Sequence, residues 1–131
     1  MTIVDTTVWV DYFRGEVTPQ TQWIDLHTTS EPIGLTDLIL CEILQGVREE
    51  RTFSGLQRDL REFHLFTTGG ADLAVAAAVS YRALCARGRT MRGTVDCLIA
   101  TFCLLNGHRL LHDDRDYDAF EEILGLTVVH P

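Results

Sequence analysis

Five acidic residues end, open or border apolar segments of the chain: Asp5, Glu42, Asp96, Asp114 and Asp116. Asp5 closes the short apolar run "TIVD". Glu42 borders the apolar face formed by Ile39, Ile43 and Val47, Asp96 opens the apolar stretch "VDCLIATFCLL", and Asp114 and Asp116 follow the apolar "RLLH". Taken singly, each has an ordinary explanation. Asp5 could cap a helix, although Thr6 and Thr7 could cap equally well. Glu42 could lie at a solvated helix edge, Asp96 is favoured in a first helical turn by the helix dipole, and Asp114 with Asp116 could form a solvated turn. Asp113 and Asp118 are expected to face water.

Jointly the five point to a cation. Three or four carboxylates in one crevice repel by several kcal/mol at an effective dielectric of about 20, so the cluster persists only with protonation or a bound cation. A donor set of oxygens without His or Cys suits Mg2+ or Mn2+ rather than zinc. A hard divalent ion with open water positions is a device for phosphodiester hydrolysis.

The elements that must bring these acids together alternate strand and helix. "TIVD" reads as a strand and "TTVWVDYFRG" as a helix closed by Gly15, followed by a helix with Thr18 as N-cap and Pro19 at its first position. "PIGLT" reads as a strand and "DLILCEILQGVREE" as a helix capped by Thr36. Phe53, Leu56, Leu60 and Phe63 fall at helical spacing, and "HLFTT" is a candidate strand. "GADLAVAAAVSYRALCARG" is an Ala-rich helix stopped by Gly88, "GRTMRG" a basic loop, and Thr94 the expected cap of the next helix, which Asn106 and Gly107 end. "HRLLH" then reads as a strand, "RDYDAFEEIL" as a helix and "LTVVH" as a last strand. This alternation predicts an α/β three-layer sandwich around a mostly parallel sheet. Ligands of such sheets gather outside the carboxyl ends of the strands, where Asp5 and the aspartates from Asp113 onward fall.

The 131 residues suit one domain spanning 1–131, and 46% hydrophobic with 23% charged residues is a globular composition. No apolar stretch approaches a membrane span, and "MTIVDTTVWV" lacks a signal peptide's basic region, so a cytoplasmic protein without a membrane partner is expected. The four cysteines read as reduced, mostly buried thiols. The net charge of −8 argues against a nucleic-acid partner unless the acids hold metal. All positive side chains are Arg, so phosphate contacts must use guanidinium groups. Arg87, Arg89 and Arg92 flank the approach to Asp96 and could steer an RNA backbone or pair with surface acids. His112 could touch substrate or simply end a strand. Trp9, Tyr12, Phe13 and Trp23 could pack the core or line a groove for a partner helix.

In order and spacing, "IVDTTVWVDYF", "LTDLILCEILQGVR", "TVDCLIATFCLLNG" and "LLHDDRDYDAF" resemble the PIN-domain ribonucleases, and most closely the VapC-type toxins of type II toxin–antitoxin pairs. The resemblance spans nearly the whole chain. It implies a PIN-like fold and a Mg2+-dependent endoribonuclease, with Mn2+ a possible substitute, whose quartet is Asp5, Glu42, Asp96 and Asp114, with Asp116 a further acid. Asp5, Asp96 and Asp114 are its implied metal ligands, Glu42 orients water or binds a second ion, and Thr7 supports Asp5. The implied reaction is in-line attack of activated water on an RNA phosphodiester. The implied partners are an RNA substrate, a cognate VapB-type antitoxin and a second copy of the chain, in a homodimer and a toxin–antitoxin hetero-oligomer. Two positions depart from the family pattern: His112 replaces a Thr or Ser, and Tyr117 the commoner Phe. Two other readings compete. A PIN-like module that binds RNA or protein without cleaving is disfavoured by the intact quartet, and a Mg2+-binding receiver-type signalling domain by the absence of Lys.

Overall fold

The strands β1 (Thr2–Val4) and β2 (Ile33–Thr36) combine Ile, Val and Leu with Thr and Gly, and every one of their residues is buried. Successive strand residues point to opposite faces, so both faces of the sheet must be covered. They are, by α1 (Thr6–Phe13), α2 (Pro19–His27), α3 (Asp37–Gln45), α4 (Glu50–Leu60), α5 (Gly70–Ala86), α6 (Thr94–Asn106) and α7 (Asp118–Leu124). With β3 (His64–Phe66) and β4 (Arg109–Leu111) the sheet has four parallel strands in the order β3-β2-β1-β4. This computed structural model describes residues 1–131 and has the α/β three-layer architecture that the alternation predicted.

The strand order sets the place of the site. From β1 the chain adds β2 and β3 on one side and β4 on the other, so the progression reverses between β1 and β4. At such a reversal the flanking connections leave in opposite directions and open a crevice beyond the carboxyl ends of the strands. The Asp5 N–H donates to the Leu111 carbonyl at 2.9 Å, closing the sheet at that edge of the crevice. On the other side β2 and β3 approach so closely that a Cβ on Gly34 would meet the His64 carbonyl oxygen at 2.8 Å, so no other residue fits there without moving a strand.

One apolar cluster joins the strands to the helices. Ile3, Val4, Leu35, Leu110 and Leu111 meet Trp9, Ile39, Ile99 and Phe120, all nearly or wholly inaccessible. Trp9 lies against Phe63 at 4.7 Å between centroids and against Phe13 at 5.9 Å, so Trp9 and the buried Trp23 are core residues. Phe13 is only partly buried and, with Val10, lines an open cleft of about 640 Å3 between α1, α3 and α4.

Several expected details come out differently. The third helix ends at Gln45; Arg48 lies in the connection, Glu49 is the N-cap of α4 and Glu50 its first residue. Thr94 is the first helical residue of α6, with Gly93 in the capping position and no side-chain cap. "RDYDAFEEIL" divides into a single 3-10 turn, Arg115–Tyr117, and α7. The last strand shrinks to one parallel bridge, Leu110 with Val128. Cys41 and Cys85 are exposed, and only Cys97 and Cys103 are buried; all four are free. No helix is long and apolar enough to cross a membrane.

Candidate active site

Asp5 stands at the end of β1 and at the N-cap of α1, yet its side chain caps nothing. It is 2% exposed, and its two oxygens are engaged by side chains: Thr7 Oγ1 donates to Oδ2 at 3.1 Å, and Tyr117 Oη donates to Oδ1 at 2.8 Å. Burial raises its pKa; the Tyr117 hydroxyl, the Thr6 N–H and the hydroxyl and N–H of Thr7 oppose that rise. Thr6 and Thr7, open to a capping role in the sequence, instead serve carboxylates. Thr6 Oγ1 donates to Glu42 Oε1 at 2.7 Å, across 36 residues of chain. Glu42 is half-buried on α3, and burial first, then the charge of Asp5, raises its pKa against that hydrogen bond.

Asp96 projects from the first turn of α6 and is held close to the backbone of Gly93, where an added Cβ would lie 3.1 Å from Asp96 Oδ2. Its pKa is pushed up to about 6, by burial first and then by Asp5, with the smallest contributions from Glu42 and Asp114, while the hydrogen bond from Tyr117 opposes the rise. Asp114 and Asp116 follow β4. The Asp114 N–H donates to His112 Nδ1 at 3.1 Å, and Asp114 Oδ1 accepts the Asp116 N–H at 2.9 Å, so the turn is pinned from within. His112 thus offers an acceptor where the family pattern has a hydroxyl. A neutral ring accepting at Nδ1 carries its proton on Nε2, which is buried without a partner, and burial lowers the His112 pKa accordingly.

The side chains form an inner and an outer group. Asp96, Asp114 and Asp116 each offer an oxygen within 4.8 Å of the others. Asp5 lies deeper and reaches this group through Tyr117, whose hydroxyl is also 3.2 Å from Asp96 Oδ1. Glu42 approaches from α3. No basic side chain balances them, for the ion pairs of the fold are Arg58–Asp59, Arg89–Glu122, Arg109–Glu31 and His130–Glu121. Oxygen donors that converge, repel and lack an internal counter-charge fit a hard divalent cation with water in its remaining positions.

The chain that carries this constellation resembles known proteins over nearly its whole length. The PIN domain family model covers residues 2–123. The chain belongs to the PIN-domain family. VapC ribonuclease Mb1587 of Mycobacterium bovis and ribonuclease VapC11 of Mycobacterium tuberculosis are each 33% identical to it over 128 residues, covering 96% of this chain and 96% of theirs. Among solved structures, VapBC2 from Rickettsia felis bound to a promoter DNA fragment has a TM-score of 0.79 at 16% identity over 98% of this chain and 96% of that one. FitAcB from Neisseria gonorrhoeae has a TM-score of 0.74 at 15% identity, over 99% and 97% of the two chains.

In this PIN domain Asp96, Asp114 and Asp116 converge, Asp5 joins them through Tyr117, Glu42 stands near enough for its charge to act on Asp96, and Thr7 bonds Asp5. Of the arginines, Arg89 is tied to Glu122 at 2.6 Å, while Arg87 and Arg92 are exposed. Asp113 is exposed as expected; Asp118 is half-buried in the first turn of α7. The sequence did not reveal the parts of Thr6, Gly93, His112 and Tyr117. Only the departures at His112 and Tyr117 from the family pattern marked two of them beforehand.

Proposed function

We propose that this chain, acting as one PIN-like unit over residues 1–131, is a metal-dependent endoribonuclease and the toxic member of a type II toxin–antitoxin pair. The observation that carries the reading is the uncompensated set Asp96, Asp114 and Asp116, with oxygens within 4.8 Å of one another, in a chain 33% identical to VapC ribonucleases over 96% of its length. Asp96 and Asp114 would hold a Mg2+ or Mn2+, with Asp116 closing the outer set and Asp5 supporting it from below. When bound, such an ion supplies positive charge beside the scissile phosphate and for the developing leaving oxygen.

The protein's own groups do the rest. Thr7 and Tyr117 hold Asp5 in one orientation, and Thr6 holds Glu42 by one oxygen, leaving Oε2 free to accept a proton from an attacking water. The raised pKa of Glu42 suits it to that transfer. Exposed Arg87 and Arg92 would meet RNA phosphates, whereas Arg89 would first leave Glu122. RNA binding despite the net charge of −8 then depends on the ion, which converts the most acidic surface into a phosphate site.

The partners of this reading are RNA, a VapB-type antitoxin and a second copy of the chain. The cleft lined by Val10, Phe13, Ile43 and Leu56 opens beside Glu42, so an antitoxin segment seated there reaches the acids, where a basic side chain relieves their repulsion. Val75 and Val79, one turn apart on α5, are 64% and 61% exposed, an apolar strip on one helix face that supports the homodimer. The deciding experiment is cleavage of total cellular RNA by purified protein with Mg2+, with EDTA, and with Asp96→Asn in place of the native chain. Metal-dependent cleavage lost in the variant supports the reading; cleavage in EDTA, or by the variant at the native rate, overturns it.

A further inference from the structure

The inner acid Asp5 and the outer set are joined by a single side-chain group, the hydroxyl of Tyr117. Its oxygen lies 2.8 Å from Asp5 Oδ1 and 3.2 Å from Asp96 Oδ1, and Asp96 has no other side-chain partner. The hydroxyl is not free to drift. Tyr117 is fully buried, its ring is 4.8 Å from that of His112 between centroids, and its N–H donates to the Asp114 carbonyl at 3.2 Å. Thr7 holds the other oxygen of Asp5 at 3.1 Å, so Asp5 is oriented from both sides. The turn that delivers Asp114 and Asp116 therefore also delivers the group that draws Asp5, from β1, and Asp96, from α6, to one point. The hydroxyl has one proton, directed at Asp5 by the shorter contact and shared with Asp96 across the longer one, and without it the two carboxylates from different elements would face each other directly. A Phe at this position, the commoner residue in the family pattern, would fill the ring's space and leave that tie unmade.

The geometry points to Tyr117 as a positioning residue that sets the separation of Asp5 and Asp96 and so preorganises the cation site. Partners that orient ligating carboxylates contribute to affinity through geometry, and their loss characteristically weakens metal binding by about tenfold or more. The inference rests on the metal-dependent nuclease reading, and the experiment keeps the two apart. Mn2+ binding to metal-free protein is measured by electron paramagnetic resonance for the native chain and for Tyr117→Phe, with circular dichroism melts of both and steady-state RNA cleavage at fixed Mg2+. The expected result is Mn2+ binding by the native chain, about tenfold weaker binding by Tyr117→Phe, a reduced kcat that higher Mg2+ partly restores, and an unchanged KM for RNA. A purely structural role would lower the melting temperature and leave Mn2+ affinity and the kcat-against-KM split alone. Equal Mn2+ affinity in the two proteins, whatever their melting temperatures, overturns the positioning role while leaving the nuclease reading intact. A native chain that binds no Mn2+ overturns both.

Discussion

The two ends of the same parallel sheet treat acidic residues in opposite ways. At the amino ends of the strands, Glu31 is bonded by the Arg109 guanidinium, which also donates to Thr2 Oγ1 at 3.0 Å and lies 5.9 Å from the centre of the Trp23 ring. That carboxylate has its counter-charge within the chain. At the carboxyl ends, Asp5, Glu42, Asp96 and Asp114 have a hydroxyl or a backbone N–H for a partner, the Asp116 carboxylate has none, and no cation faces any of them. The first arrangement is complete as it stands. The second orients its oxygens without neutralising them, which suits a site whose positive charge comes from outside, as an ion or as an antitoxin's basic side chain. An acid supplied with an internal cation reads as structural, and an oriented acid without one reads as functional.

Removing charge at each end tests that contrast most severely. Asp96→Asn should lower the rate of RNA cleavage by at least about a hundredfold and abolish growth inhibition on expression, with the fold retained by circular dichroism. Glu31→Gln should cleave at the native rate. A slow Glu31→Gln enzyme or a fast Asp96→Asn enzyme would erase the distinction between the ends. Metal removal comes next: EDTA should stop cleavage, added Mg2+ or Mn2+ should restore it, and saturating metal should raise the melting temperature. At a hundredfold excess over Kd, linkage contributes about 2.7 kcal/mol. Arg109→Met should leave that gain unchanged, because its cation serves the other end, while itself lowering stability by about 1 kcal/mol.

A smaller effect is expected from pH. Asp96 is raised to about 6, and Asp5 and Glu42 are raised as well, so the folded metal-free protein binds these protons more tightly than the unfolded chain does. Between the unfolded values near 4 and about 6 the native state holds the extra protons, so this contribution is fully present at low pH and is lost as pH rises through that window. Differential scanning fluorimetry of metal-free protein should show Asp96→Asn gaining on the native chain by a few degrees between about pH 4 and pH 7. A constant difference across that range would show that Asp96 does not titrate under strain. Mg2+ should diminish the dependence. Gentlest of all, Gly93→Ala should keep the fold, since the Gly93 φ of −110° is open to any residue. Its Cβ would press on Asp96 Oδ2, and a fall in kcat of about tenfold is expected from the displaced carboxylate. Native kcat in this variant would show that the crevice tolerates movement of Asp96.

Much of this contrast was legible in the amino-acid order. Alternating apolar runs and amphipathic stretches specified the parallel α/β sheet, because a strand buried on both faces reads differently from a helix with one apolar stripe. The five acids stood out because they interrupted or ended apolar segments. Boundaries were less legible where the signals were weak: Gly46 divided a periodic pattern that reads as continuous, and "LTVVH" had the composition of a strand but only one backbone bridge to pair with.

The sequence by itself determined which residues could bear the chemistry, since residue type and local periodicity are one-dimensional properties. Only the tertiary structure decided how the carboxylates divide into an inner Asp5 and an outer set, that Thr6 serves Glu42, that Arg89 is held by Glu122, and that Tyr117 ties β1 to α6. Those assignments depend on distances between atoms up to 112 residues apart in the chain. No local preference encodes such distances, because they arise when the whole core packs.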